Sequence, residues 1–569
     1  MSSKQTQQAQ QTEQAPQATF DRDDPPILGA NPFVGLTREQ VVASLARLGQ
    51  RIAVEPGAAA ATSVGAVAEL LRVAVGRSDV TPARGDRRFT EAVWQQNPVF
   101  RRLMQAYLVQ SGAAHRVIDE VELDTKSRAR AHFAMSLLTE ALAPTNFLLT
   151  NPNAMAKAAQ TRGQSVVAGA RNRAHDLRHN GGMPSQVDTR PFTVGGNLGI
   201  TPGHVVHRTE VFELIQYDET ATKVHRRPLV VIPPQINKYY ITDLAPGRSL
   251  VESTVAAGLP YFTLSWRNPT PEHRDWNLDT YAAACHEAIQ VACDIAGSDD
   301  ANVAGVCAGG VTLAALLGHL AATGESDLVN SVTFLVAGLD TTTETTASNL
   351  MSRRAVEVAR ARSLRAGVLA GEDMARVFAW LRPNDLVWNY WVNNYLMGHN
   401  PPAFDILYWN NDTTRLPAGL HSDFLDLYLT NGLVEGTLEA LGTPVDLGKV
   451  SCDSFVVAGY TDHIIPWDGA YRTTQLLGGE GRFVLSNGGH IQAILNPPDN
   501  PKASYFTSDS LPATAAQWRD AATQVTGSWW TRWHEWLAAR SGTTRTRRTR
   551  AGNAAHPPLE PAPGRYVHL

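Results

Sequence analysis

The feature that most constrains the fold is a series of short apolar runs, rich in β-branched and aromatic residues, that begins beyond Phe192. Stretches with helical spacing separate several of these runs, and TYAAACHEAIQVACDIAG is the clearest example. Strands that alternate with helices form a parallel sheet with helices on both faces, so residues 191–540 are predicted to be an α/β domain. The runs are VFELIQY (211–217), PLVVIPP (228–234), PYFTLSW (260–266), VTFLVAG (332–338), SFVVAGY (454–460) and RFVLSN (482–487).

The rest of the chain divides around this domain, since 569 residues are too many for one compact core. Residues 1–30 are polar and Gln-rich, which predicts a disordered tail, and residues 31–190 have the spacing of a mainly helical N-terminal domain. The helical, aromatic-rich interval of about 341–445 interrupts the alternation and predicts a cap over the carboxyl edge of the sheet, where ligands bind. Residues 541–569 are predicted to be a C-terminal tail, with its arginine cluster interpreted as a solvated linker rather than a phosphate contact.

Composition and charge exclude several classes of function. The hydrophobic share of 43%, the charged share of 18% and the net charge of −4 are those of an ordinary globular protein without general attraction to nucleic acid. No run has the roughly 18 apolar residues that a transmembrane segment needs. The four cysteines show no CxxC pairing, so no metal site is predicted and a reducing cytosol is expected. Cys285, Cys293 and Cys452 are interpreted as inert core thiols.

The fourth cysteine stands in a motif with a chemical meaning. The segment GVCAG, with Cys307 between Gly305 and Gly309, matches the nucleophile motif G-x-S-x-G with sulfur in place of oxygen. The strand-like ANVAGV precedes it and the helical GGVTLAALLGHLAA follows, as the sharp strand-to-helix turn of that motif requires. The glycines are expected because a Cβ would clash in so tight a turn. The helix N-terminus would favour a thiolate, and the Ala308 N–H would point at a developing oxyanion.

A nucleophilic cysteine needs a base and an orienting group, which follow late strands in this type of fold. Asp462 follows the strand SFVVAGY, and His490 follows the next strand on a Gly-Gly turn. His463 is an immediate alternative to His490, or a neighbour that supports it. A second oxyanion donor is expected after the strand PLVVIPP, from the backbone N–H of Ile236, with Asn237 equally close in sequence.

With these residues identified, the sequence resembles the polyhydroxyalkanoate synthases from about Asn31 to its C-terminus. The motifs that carry the resemblance are DRRFTEAVWQQNP, APTNFLLTNP, GGNLGITPGHVV, VVIPPQINKYYI, WRNPT, WNLDTY, GVCAGG, RPNDLVWNYWVNNYL, GYTDHIIPW and NGGHIQAILNPP. The single-subunit type is the most similar, and the closing GNAAHPPLEPAPGRYVHL resembles the medium-chain (class II) branch. Val306 departs from the residue most often expected before the cysteine, so the acyl chain length stays open.

The resemblance implies an α/β-hydrolase fold with a helical cap insertion, and Cys307, Asp462 and His490 as catalytic residues. It implies polymerisation of (R)-3-hydroxyacyl-CoA into polyhydroxyalkanoate, with release of CoA through a cysteine acyl-enzyme and without a cofactor. Asp462 would either orient His490 or help to deprotonate the substrate hydroxyl. It also implies a homodimer in the cytoplasm at the surface of polyester granules, where granule-coat proteins are possible partners. The aromatic cap segment, with Trp388, Trp391 and Tyr395, would be either a lid or plain packing.

Two other classes of function stay open at this point. A cysteine-dependent α/β-hydrolase that cleaves esters or lactones would use the same three residues, and a polymer product from acyl-CoA would exclude it. A non-catalytic granule-associated protein would be supported by an unreactive Cys307.

Overall fold

The computed structural model describes residues 38–54, 56–343 and 353–569, so the predicted tail 1–30 lies outside the described residues. The α-helices are α1 (Arg38–Val54), α2 (Pro56–Ala74), α3 (Val93–Gln96), α4 (Pro98–Glu120), α5 (Thr125–Ala141), α6 (Pro152–Gln160), α7 (Gln164–His179), α8 (Leu250–Ala256), α9 (Leu278–Ala296), α10 (Ala308–Thr323), α11 (Arg353–Ala366), α12 (Gly371–Leu381), α13 (Asp405–Asn411), α14 (Ala418–Thr430), α15 (Trp467–Leu476), α16 (His490–Ile494), α17 (Ala515–Ala521) and α18 (Trp529–Ala538). The strands are β1 (Gly203–Arg208), β2 (Phe212–Tyr217), β3 (Lys223–His225), β4 (Leu229–Ile232), β5 (Tyr261–Trp266), β6 (Ala301–Val306), β7 (Val329–Leu335), β8 (Val368–Leu369), β9 (Leu416–Pro417), β10 (Glu439–Ala440), β11 (Thr443–Pro444), β12 (Asp453–Gly459), β13 (Gly481–Ser486), β14 (Ser504–Thr507), β15 (Thr523–Thr526) and β16 (Thr544–Thr546).

The main sheet has ten strands in the order β1-β2-β5-β4-β6-β7-β12-β13-β14-β15. The inner strands from β5 to β13 are parallel, as predicted, because helices connect them. Both edges are antiparallel, which the sequence did not predict for VFELIQY: this run is β2, and it pairs antiparallel with β1 and with β5. A short turn joins β1 to β2 without a crossover helix, and such a connection permits only antiparallel pairing.

Both faces of the sheet are buried, which confirms the predicted α/β architecture. Along β4, Val230 and Ile232 belong to one apolar cluster, and Leu229 and Val231 belong to another. This alternation puts the clusters on opposite faces of the strand. Helices α9 and α10 supply side chains to the first cluster, and the tryptophans of α18 supply the second. The sheet therefore forms a central layer between two layers of helices, and its carboxyl edge is left for the loops that carry the site.

Residues 38–179 are helical and contain small apolar clusters of their own, one of which joins Phe89, Trp94 and Met104. The Asn97-Pro98 pair starts α4, which is the longest helix of this region. The Asn97 side chain accepts a hydrogen bond from the Val99 N–H at 2.9 Å, which caps α4.

The aromatic segment between β7 and β12 contains two π-helical turns, Asn384–Trp388 and Trp391–Leu396. Its side chains contact the N-terminal helices. Trp391 donates its indole N–H to the Asn146 carbonyl at 3.0 Å, and the Tyr395 hydroxyl donates to Asp176 at 2.8 Å. Of the two interpretations of this segment, these contacts fit packing between cap and N-terminal helices better than a lid.

The arginine cluster near the C-terminus is not a solvated linker, so that interpretation is wrong. Strand β16 pairs with β3, and Arg545 forms an ion pair with Glu219 at 2.5 Å, in which the carboxylate side chain is only 4% exposed. Arg548 donates to the Ala296 carbonyl at 2.9 Å, at the C-terminus of α9, where the helix dipole favours a cation. A buried carboxylate and a helix end thus hold the segment against the domain.

The last residues of the chain continue along the edge of the sheet. The N–H groups of Leu559 and Ala562 each donate at 2.8 Å to carbonyls of the β1 segment. The side chain of Glu213, which is fully buried, accepts from the Arg565 N–H at 2.9 Å and from the Tyr566 N–H at 3.0 Å. We call residues 559–569 the C-terminal strap.

Candidate active site

Cys307 lies at the turn between β6 and α10 in a conformation that L-residues rarely adopt, with φ 51° and ψ −121°. Such strain persists only where neighbouring structure enforces it. The Cys307 N–H donates to the Leu335 carbonyl of β7 at 2.9 Å, and its own carbonyl accepts from the Gly310 N–H at 2.9 Å. These hydrogen bonds hold the backbone while the side chain stays partly exposed.

The glycines around Cys307 permit contacts that a side chain would prevent. A Cβ on Gly305 would lie 2.5 Å from the Gly310 Cα, and one on Gly309 would lie 2.4 Å from the Ile232 carbonyl oxygen. Both distances are far inside van der Waals contact and involve backbone atoms. Glycine at these positions therefore lets α10 start directly against β4 and β6.

The structure brings His490 and Asp462 together at the ends of β13 and β12. The Nδ1 atom of His490 lies 2.6 Å from Oδ2 of Asp462. The other carboxylate oxygen accepts from the backbone N–H groups of Ile464 at 2.9 Å and Ile465 at 3.0 Å. The Asp462 side chain is 0% exposed, so solvent does not compete for these bonds.

The Cys307 sulfur is the third member of this group, close enough to the buried His490 ring to influence its pKa. Because Nδ1 of His490 is occupied by Asp462, Nε2 is the nitrogen left for the thiol. Burial alone would lower the pKa of His490, but the Asp462 carboxylate and the Cys307 sulfur outweigh burial and raise that pKa well above its usual value. An imidazolium beside a cysteine favours the thiolate, which is the nucleophilic form.

A cavity of about 120 Å³ adjoins the sulfur. Its wall is mostly apolar and combines residues from the sheet edge with residues from the cap helices. Among them are Val311, Leu339, Leu381, Phe424, Leu427 and Ile464. Trp388, Trp391 and Tyr395 do not belong to the wall that the described residues form. The cavity can therefore accept an apolar chain with its reacting carbon at Cys307.

Two polar rings, those of His463 and Tyr428, belong to this wall. His463, the alternative base, lines the cavity, and burial together with the Arg382 cation lowers its pKa to about 4, so the ring is neutral at physiological pH. Tyr428 of α14 also lines the cavity, and burial, with the Cys307 sulfur, raises its pKa to about 12. Sequence reasoning missed Tyr428, because no motif distinguishes it from other aromatic residues of the cap.

The two residues predicted to supply the oxyanion donors, Ile236 and Ala308, both line the cavity with Cys307. Asn237, the alternative donor, forms an antiparallel backbone bridge with Thr413 of the cap. The backbone of Asn237 is thus engaged with the cap, and the Ile236 N–H stays the predicted donor.

The other cysteines lie away from this chemistry. Cys285 is fully buried, and burial raises its pKa. Burial also raises the pKa of Cys293 and of Cys452 to about 12, which keeps both thiols protonated. Over residues 38–54, 56–343 and 353–569, no group of three or more His, Cys, Asp or Glu side chains is arranged to hold a metal ion.

The same described ranges contain no single helix that combines the length and the apolar character needed to cross a bilayer. A sharply bent pair, Ala46–Val54 with Ala59–Ala74, meets that criterion on length and composition alone.

Comparison with known proteins identifies the family. Residues 85–254 match the family described as "Poly-beta-hydroxybutyrate polymerase (PhaC) N-terminus", and residues 228–497 match the "alpha/beta hydrolase fold" family. The poly(3-hydroxyalkanoate) polymerase 2 of Ectopseudomonas oleovorans is 49% identical over 94% of this chain and 96% of its own length. Polymerase 1 of the same organism is 47% identical over 95% and 97%. The polymerase subunit PhaC of Cupriavidus necator is 42% identical over 87% and 85%. The resemblance seen in the sequence is thereby confirmed, and the chain belongs to the poly(3-hydroxyalkanoate) polymerase family, enzymes of the acyltransferase class.

Proposed function

We propose that this chain polymerises (R)-3-hydroxyacyl-CoA thioesters into polyhydroxyalkanoate, through an acyl-enzyme on Cys307 and with release of CoA. The observation that carries the proposal is a cysteine on a strained turn, beside a buried histidine–aspartate pair and on the wall of an apolar cavity. Each part has a chemical role: a nucleophile, a base held in one orientation, and a pocket for an acyl chain.

In the loading step, the Cys307 thiolate attacks the thioester carbonyl, and the oxygen gains negative charge beside the Ile236 and Ala308 N–H groups. The C–S bond to CoA then breaks, and the acyl group stays attached to the Cys307 sulfur. The His490 imidazolium gives its proton to the departing CoA sulfur, so that free CoA is released. One thioester replaces another, so the step is nearly isoenergetic and needs no cofactor.

In the elongation step, the 3-hydroxyl of one acyl unit attacks the thioester carbonyl of another. His490, neutral after loading, accepts the hydroxyl proton as the new ester C–O bond forms. When the attacking hydroxyl belongs to an incoming acyl-CoA, the C–S bond to Cys307 breaks, and the Cys307 thiolate and the His490 imidazolium are regenerated. The lengthened chain is then a CoA thioester, and the loading step returns it to Cys307 with release of one CoA for each unit added.

Asp462 is proposed to orient His490 rather than to deprotonate the substrate. Both of its carboxylate oxygens are engaged, one by His490 and the other by two backbone N–H groups, and its side chain has no exposed surface. A substrate hydroxyl would have to displace one of these bonds to reach it. An oriented imidazole that keeps one tautomer is what both steps require.

The apolar wall supports exclusion of water, which is needed because water would hydrolyse the acyl-enzyme and end the chain. It also supports acyl groups longer than four carbons, in line with the C-terminal likeness to the medium-chain branch.

The domains are proposed as residues 31–190, which form a helical unit outside the chemistry, and residues 191–540, which carry out the chemistry. The N-terminal unit is proposed to serve dimerisation and attachment to the surface of cytoplasmic polyester granules.

The test is incubation of the purified chain with (R)-3-hydroxyoctanoyl-CoA while free CoA and turbidity are followed together. CoA release with a parallel rise in turbidity is expected. Release of CoA together with free 3-hydroxyacid, without polymer, would identify a hydrolase. An inert protein with an unreactive Cys307 would indicate a non-catalytic role.

A further inference from the structure

The loop after β4 carries Ile236, and the cap holds one side of this loop. Thr414 donates its hydroxyl to the Gln235 carbonyl at 2.7 Å, and the Trp409 indole N–H donates to the Lys238 carbonyl at 2.7 Å. With the bridge from Asn237 to Thr413 of the cap, these bonds fix the backbone on both sides of Ile236.

The side chain of Lys238 adds a second set of contacts to this loop, to the C-terminal strap as well as to the cap. Its Nζ atom donates to the Val567 carbonyl of the C-terminal strap at 2.6 Å and lies 2.9 Å from Oδ1 of Asp412 in the cap. The second carboxylate oxygen of Asp412 accepts from the Tyr240 hydroxyl at 2.8 Å. Lys238 therefore joins the loop, the cap and the strap at one point, with a side chain that is only 10% exposed.

We propose that Lys238 is a positioning residue for acyl transfer, which ties the C-terminal strap and the cap to the loop so that the Ile236 N–H faces the oxyanion. The inference rests on the proposed function, since it assigns a support to one part of that site. A displacement of about 1 Å at such a donor can cost on the order of a hundredfold in rate. The contact between Lys238 and Val567 also gives the C-terminal strap a role in a site that is distant in sequence.

The geometry separates this support from those of the nucleophile and the base. Cys307 is held by β6, β7 and α10, whereas His490 and Asp462 are held by β13 and β12. Loss of the Lys238 contacts should therefore move the oxyanion donor and leave thiol reactivity in place. Alkylation by iodoacetamide displaces iodide at carbon and develops no oxyanion, so it reports the thiol alone.

The test compares four full-length proteins: wild type, Lys238→Met, Lys238→Arg, and a matched control, Arg545→Met. The control breaks a similarly buried ion pair, with Glu219, that does not touch the loop. A fifth protein lacks residues 567–569 and so removes the Val567 carbonyl by a second route. Single-turnover CoA release from (R)-3-hydroxyoctanoyl-CoA and iodoacetamide alkylation mapped to Cys307 are measured for each.

Lys238→Met and the deletion should each slow CoA release by at least about tenfold, with alkylation within about twofold of wild type. Lys238→Arg should recover part of the loss because the cation is kept, and Arg545→Met should release CoA at the wild-type rate. Wild-type release in both Lys238→Met and the deletion would overturn the inference, as would equal losses of release and alkylation. A wild-type protein that alkylates at Cys307 but releases no CoA would instead overturn the proposed function, and this inference with it.

Discussion

The Nδ1 atom of His490 lies 2.6 Å from Oδ2 of Asp462, and this bond is closed to solvent. It holds the ring through Nδ1 and leaves the second ring nitrogen for Cys307. The predicted effects of changes at either residue follow from this single relationship, because His490 is proposed to move the proton and Asp462 to keep the ring in place.

His490→Gln should abolish measurable CoA release, because the variant lacks the imidazole that is proposed to carry the proton between Cys307 and the leaving CoA sulfur. Asp462→Asn should still load slowly and elongate poorly, with a rate lowered by about 10²–10⁴-fold, because the ring loses its fixed tautomer. Single-turnover CoA release and polymer yield measure the two steps. Asp509→Asn, at a side chain that is 96% exposed, is the control and should behave as wild type. Loading at the wild-type rate in both site variants would show that these roles are wrong.

Gly309→Ala should impair both activity and stability, because the new Cβ would lie 2.4 Å from the Ile232 carbonyl oxygen. Backbone on both sides must then shift, at a cost of about 1–3 kcal/mol in the free energy of unfolding. The matched control is Gly65→Ala in α2, where a Cβ meets nothing within 4 Å. Chemical denaturation should show a lower midpoint for the first variant, and an unchanged or higher midpoint for the second. If both variants had the wild-type denaturation midpoint and released CoA normally, the turn at Cys307 would not require glycine at position 309.

Stability should fall as pH rises through neutrality because of Glu140, at the end of α5. Burial, only partly opposed by the Arg88 cation, raises the pKa of Glu140 from 4.5 to about 7. One of its carboxyl oxygens is buried and has no hydrogen-bond partner among the described residues. The folded state thus prefers the protonated form, so its contribution is complete below the unfolded pKa of 4.5 and is lost progressively as pH rises to about 7.

Glu140→Gln stays neutral at every pH and should flatten this dependence. Denaturation midpoints between about pH 5 and about pH 8 measure it, and the wild type should lose about 1–2 kcal/mol more than the variant. Glu91→Gln, at an exposed position, is the control and should follow the wild-type curve. Parallel curves for all three proteins would rule out Glu140 as the titrating group.

Longer acyl chains should be better substrates until the cavity is full. The wall supplied by Leu339, Phe424 and Leu427 is apolar, and each buried methylene contributes about 0.8 kcal/mol, which is a few-fold in kcat/KM. Values of kcat/KM for (R)-3-hydroxyacyl-CoAs of four, six, eight and ten carbons test this. A maximum at four carbons would refute the chain-length proposal without touching the roles of Cys307 and His490.

The sequence predicted the inner strands and the cysteine turn because local signals determine them. Alternation of apolar strands with helices specifies a parallel sheet, and the glycines beside Cys307 report a backbone contact that tolerates no side chain. The family was also recognisable, because its motifs are contiguous and occur in order along the chain.

The parts that the sequence did not predict depend on partners far away along the chain. From the sequence, Arg545 was interpreted as a solvated charge, because its partner Glu219 lies 326 residues earlier in the chain. The residues next to Lys238 and Tyr428 in sequence do not show where these side chains lie. Lys238 contacts the cap through Asp412, and Tyr428 reaches the cavity wall from a cap helix. The antiparallel pairing of β2 was missed for a related reason, since an apolar run does not encode the direction of its neighbours.

The most direct test of the account is peptide mass spectrometry of the enzyme trapped during turnover of (R)-3-hydroxyoctanoyl-CoA. We expect one or more 3-hydroxyacyl units attached to the peptide that contains Cys307, and a Cys307→Ala variant that folds normally but carries no adduct and releases no CoA. CoA release retained in Cys307→Ala, or acyl units found only on another residue, would contradict the central claim.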